Sequence, residues 1–74
     1  MKPDDVRERI ERGIPGSSAK VVDTTGTGDH FEATVTAAAF RGKSLIQQHR
    51  MVYAALGEAM QGPIHALKLE TRFE

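Results

Sequence analysis

Three histidines, His30, His49 and His65, are the only side chains besides carboxylates that could ligate a transition metal, because the chain contains no cysteine. Imidazole suits borderline metals such as zinc, copper and iron. Two imidazoles do not complete a stable site, so a partner protein or a small thiol would have to supply the other donors. His49 sits mid-way along an apolar helical stripe and reads as a packed histidine, whose ring nitrogens need partners if buried. By spacing alone, His30 and His65 fit a pair of solvated strand-end residues as readily as a pair of ligands. The segment TTGTGD, residues 24–29, has two glycines but no Gly-Lys-Ser/Thr after it. A phosphate-binding loop uses the N-terminus of a helix, and here a strand pattern follows. It therefore reads as a flexible hairpin tip. Asp29 and His30 are adjacent, and neighbours on a strand point to opposite faces. That spacing predicts no acid–base pair, and no serine has a nucleophile context, so an enzyme is not expected.

The elements that must position these residues follow from periodicity. Pro3 suits the first position of a helix, with Asp4 and Asp5 in its first turn. Val6, Ile10 and Ile14 form one apolar stripe, and Gly13 and Pro15 end the helix. SAKVVD, Ser18–Asp23, reads as a strand. HFEATVTA, residues 30–37, alternates Phe31, Ala33, Val35 and Ala37 against His30, Glu32, Thr34 and Thr36, so the two strands predict an antiparallel hairpin. A short turn at residues 40–43 leads to a helix starting at Ser44, where Ser44 and Gln47 have capping-box spacing. Leu45, His49, Val52, Leu56 and Met60 predict its core-facing stripe, and Gly62-Pro63 its end. Residues 64–73 read as a last strand, with His65, Leu67 and Leu69 on one side and Lys68, Glu70 and Arg72 on the other. The order is α-β-β-α-β. A helical crossover joins parallel strands. Parallel strands begin at the same edge, so His30 and His65 are expected near each other, beside the 24–29 loop.

The 74 residues allow one small domain with a thin core. Ten basic and ten acidic residues give zero net charge. Arg41, Lys43 and Arg50 form a local basic segment without an acid, which fits a solvated helix face or a phosphate-bearing partner. No apolar run approaches the roughly 20 residues that span a bilayer. Met1-Lys2 is followed by Pro3-Asp4-Asp5, so no signal peptide is expected. Together with the lack of cysteine, this predicts a cytoplasmic or similarly reducing compartment.

The run FRGKSLIQQHRMVYAALGEAM, followed by GPIHALKLET, resembles the BolA family. The matching residues are Phe40, Gly42, His49, Val52 and Leu56, then Ile64 to Leu67 at the start of the last strand. VVDTTGTGDHFEATV resembles the family's hairpin. The resemblance implies an α+β fold, BolA-like and type II KH-like, in the order α-β-β-α-α-β. It would form a single domain over residues 1–74, with a three-stranded mixed sheet, helices on one face and the extra helical turn within residues 38–43. It also implies a non-enzymatic partner of monothiol glutaredoxins, acting in iron–sulfur trafficking or assembly, or in iron-redox regulation. In such a complex a 2Fe-2S cluster is shared with glutaredoxin cysteine and glutathione sulfur, and no cofactor is expected on the isolated chain. His65 matches the ligand at the start of the last strand. The family takes its second ligand, His or Cys, from the loop between the first two strands. The loop here has neither, and His30 just after it is the candidate. Imidazole in place of thiolate raises a cluster's potential. Gln48 stands where many relatives have arginine. The alternative function is a KH-like nucleic-acid-binding transcriptional regulator using Arg41, Lys43, Arg50 and Lys68, with DNA as partner. Against it, KH domains clamp backbone with a Gly-x-x-Gly loop, and the 40–44 turn has Gly42 alone.

Overall fold

The computed structural model describes residues 1–73. Helix α1 spans Pro3–Gly13, strand β1 Ser18–Asp23 and strand β2 His30–Thr36. A 3₁₀ turn at Ala38–Phe40 leads to helix α2, Leu45–Leu56. A second 3₁₀ turn at Gly57–Gln61 precedes strand β3, Ala66–Arg72. Pro3 occupies the first turn of α1, and the Lys2 N–H donates to the Asp5 carboxylate at 3.0 Å. Ser44 and Gln47 form a reciprocal cap on α2, with bonds of 2.9 and 3.2 Å.

The sheet order is β1-β2-β3, with β1 antiparallel and β3 parallel to the central β2. Asp23 pairs with Phe31 in the hairpin, and His30 pairs with Ala66 across the parallel ladder. This mixed α+β arrangement agrees with the expected order, and the expected extra turn is the 3₁₀ turn before α2. Phe31, Ala33 and Val35 point to the buried face, while Glu32, Lys68 and Glu70 lie on the open one. Both helices cover the buried face: α1 packs on β1 and α2, and α2 on α1 and β3. Val6 and Ile10 of α1 meet Val52 and Leu56 of α2 in one core, which Phe40 joins with no exposed surface. At Gly13 an added Cβ would lie 2.5 Å from the Ala55 Cβ, so the helices cross at backbone contact.

Three expectations are corrected. The core stripe of α2 is shifted: Val52 and Leu56 are buried, but Leu45 is 62% exposed, His49 and Met60 are half-buried, and Gln48 takes the inward position. Gln48 Nε2 donates to the Phe40 and Lys43 carbonyls at 3.3 and 2.9 Å, and Thr71 Oγ1 donates to Gln48 Oε1 at 2.5 Å. An amide with three partners is cheap to bury, which an apolar pattern cannot reveal. The α-helix ends at Leu56 rather than at Gly62-Pro63, because Gly57 takes φ +56°, a conformation that glycine adopts without steric cost. The last strand starts at Ala66, so His65 stands just before it.

Candidate functional site

The parallel pairing of β2 and β3 brings the starts of both strands to one edge of the sheet. There the His30 and His65 rings stand 6.2 Å apart, centre to centre, and tilted by 34°. The expected convergence of the two imidazoles is present. His49 is held elsewhere, on α2, with its ring edge-on to Tyr53 at 6.4 Å. Its Nε2 is buried and has no hydrogen-bond partner among the described residues.

A side-chain carboxylate organises the loop ahead of His30. Asp23, at the end of β1, accepts from the N–H groups of Thr25, Gly26 and Gly28 at 3.2, 2.9 and 2.9 Å. Gly26 and Gly28 supply the positive φ values, 75° and 77°, that this turn requires. The signal for this was readable, since aspartate followed by glycines is how a carboxylate organises a turn. The Gly28 carbonyl also accepts from the Met1 amine at 3.2 Å.

Asp29 and His30 do converge, contrary to the expectation from strand alternation. Asp29 Oδ1 lies 2.8 Å from His30 Nδ1. The reason is that Asp29 precedes the first rung of the ladder, so the alternation of strand faces does not govern it. The Thr27 hydroxyl donates to the same Asp29 oxygen. That bond, then the one from His30, holds the Asp29 carboxyl below its usual range; desolvation opposes them, and electrostatic attraction to the His30 and His65 rings contributes least. The Asp29 main-chain carbonyl accepts from the N–H groups of His65 and Ala66, at 2.8 and 3.2 Å. One residue thus touches the ring of one histidine and the backbone of the other.

Two imidazoles on one tetrahedral ion, each bound at about 2.1 Å, have ring centres roughly 5.3 Å apart, so the observed 6.2 Å is about an ångström wider than a closed site would be. His65 is exposed and His30 is half-exposed, so a second molecule has access to both. The donor chemistry fits an iron or zinc centre that takes part of its ligands from this chain. Among the described residues, no group of three or more His, Cys, Asp or Glu side chains is arranged to hold a metal ion. A surface hollow along Asp5, Glu8, Arg9 and Arg12 of α1 has no histidine in its lining.

Arg41, Lys43 and Arg50 are exposed on the link before α2 and on α2 itself, and have no ion-pair partner among the described residues. Lys68 lies on the open face of the sheet, where its Nζ stands 3.7 Å from Glu32 Oε1. No helix among the described residues is long and apolar enough to cross a membrane.

A family model described as BolA-like protein matches residues 13–74. The chain is 45% identical over 47 residues to BolA-like protein 1 of Bos taurus, a match that spans 64% of this chain and 35% of that relative. It is 31% identical over 77 residues to the DNA-binding transcriptional regulator BolA of Escherichia coli, covering 89% of this chain and 73% of that one. The fold superposes on a bolA protein homologue from Coxiella burnetii with a TM-score of 0.85 and 39% identity, over 99% of this chain and 91% of the other.

Proposed function

The chain belongs to the BolA family, and on that premise we propose that it is a non-enzymatic partner of a monothiol glutaredoxin, with which it shares a 2Fe-2S cluster in iron–sulfur trafficking, assembly or iron-redox regulation. The observation that carries this reading is the His30–His65 pair, 6.2 Å between ring centres on an accessible sheet edge. His65 and His30 would hold one iron, and the glutaredoxin cysteine and glutathione sulfur would supply the thiolates that this chain lacks. When bound, such a cluster supplies one-electron chemistry whose potential imidazole ligation raises. The chain's own share is to present two nitrogen donors on a rigid strand edge. Their exposure also speaks for an adaptor, since acid–base catalysis needs groups enclosed away from water.

The test is to titrate the chain into glutathione-bound, cluster-loaded monothiol glutaredoxin and follow visible circular dichroism. A spectral change is expected with the wild-type chain and its loss with His65→Ala; His30→Ala reads out the second ligand. No change with the wild-type chain would reject the reading.

A second reading, a nucleic-acid-binding regulator, is favoured by the exposed Arg41, Lys43 and Arg50, unpaired among the described residues, and by the DNA-binding relative. It expects affinity for duplex DNA that falls steeply with salt and weakens in Arg50→Ala, with no response to His65→Ala.

A further inference from the structure

His30 is one of two histidines at the sheet edge, but it alone is held by a carboxylate. Asp29 Oδ1 lies 2.8 Å from His30 Nδ1, and the Thr27 hydroxyl anchors that same oxygen from the loop side. An ionised carboxylate accepts hydrogen bonds and donates none. The nitrogen facing it must therefore carry the proton. In a neutral imidazole only one ring nitrogen is protonated, so Nε2 keeps its lone pair. Asp29 is itself fixed from a second direction, because its carbonyl takes the N–H groups of His65 and Ala66. The Asp29 backbone cannot drift relative to β3 without breaking both bonds, and the Thr27 hydroxyl holds the carboxylate itself.

We propose that Asp29 is the positioning residue of this pair: it sets the His30 tautomer so that Nε2 is the free donor, and it holds that ring in register with His65. The proposal rests on the reading of His30 and His65 as ligands given above. A carboxylate behind a ligating histidine orients the ring and raises its basicity, and removing such a partner lowers metal affinity by about 10- to 100-fold.

The first measurement uses the chain alone. Side-chain nitrogen NMR of ¹⁵N-labelled protein reads the His30 tautomer directly. The wild type is expected to carry the proton on Nδ1. Asp29→Ala is expected to shift His30 toward the Nε2-protonated form that free imidazole prefers. Asp29→Asn keeps the volume but offers both a donor and an acceptor, so it should also release the tautomer while preserving the fold. An unchanged tautomer in a folded Asp29→Asn chain overturns the proposal. The second measurement adds the glutathione-bound, cluster-loaded glutaredoxin and reads nitrogen couplings of the reduced cluster by pulsed electron paramagnetic resonance. In Asp29→Asn the His30 coupling should be lost or altered while that of His65 persists, and the complex should weaken by about tenfold. Couplings identical to wild type overturn the positioning role. Absence of any histidine coupling in the wild-type complex overturns the cluster reading and the metal half of this proposal with it. The tautomer result separates that failure from an Asp29 that never controlled His30.

Discussion

A carboxylate that accepts two hydrogen bonds is harder to protonate than one surrounded by water. Asp29 is in that position, with the Thr27 bond the larger influence and the His30 bond the next. Its folded value lies below the ordinary 3.8. The stabilisation from these contacts is therefore fully present above about pH 3.8 and is lost as pH falls through the lowered folded value. A carboxyl-carbon NMR titration should place the Asp29 midpoint below 3.8 and move it upward in Thr27→Val; a wild-type midpoint at or above 3.8 would contradict this account. At this scale the sequence was informative about His30 and His65, because parallel strands must start together. It was silent on Asp29, because period-two reasoning was carried one residue past the start of the ladder. It also left Asp23 unread, although the glycines after it mark a turn that a carboxylate can organise.

Helix α2 shows where periodicity misleads. Leu45 and Ile46 are 62% and 65% exposed, whereas Gln48 is 6% exposed. An apolar count ranks these residues in the opposite order. The Gln48 amide ties the link before α2 to β3, through the carbonyls of Phe40 and Lys43 and the hydroxyl of Thr71. Gln48→Leu would leave the Lys43 carbonyl without that donor and Thr71 without its acceptor, while the Phe40 carbonyl keeps the Lys43 N–H. Leaving buried polar groups unpaired costs about 1–3 kcal/mol. The expected result is a lower urea midpoint with an unchanged slope, and an unchanged midpoint would show that water replaces the amide without loss. By contrast the cap of α2 was legible, since Ser44 and Gln47 stand at the spacing that a reciprocal cap needs. The early end of the helix at Gly57 was not, because glycine is tolerated within helices often enough that Gly62-Pro63 looked like the stronger stop.

For the whole molecule, the α-β-β-α-β order and the mixed sheet were readable from alternation, turn residues and the handedness of crossovers. From the residues alone the segment carrying Phe40 read as a link, and the family resemblance alone implied a helical turn there; that ring lies fully inside the core. Phe40→Ala should cost about 3–5 kcal/mol, most of the stability that a domain at the low end of the usual 5–15 kcal/mol has. Circular dichroism melting should show the loss of a cooperative transition; a shift of only a few degrees would mean that the core refills the space. The β2–β3 register has a consequence in time as well as in space. The β1–β2 hairpin closes across a six-residue loop, but His30 faces Ala66 only when the chain closes over the whole helical crossover. Pairings between distant segments form slowly, because chain entropy must be surrendered before any contact rewards it. The two imidazoles are therefore expected to meet late in folding. A half-folded chain holds them apart, and a partner that requires both can tell a finished molecule from an unfinished one.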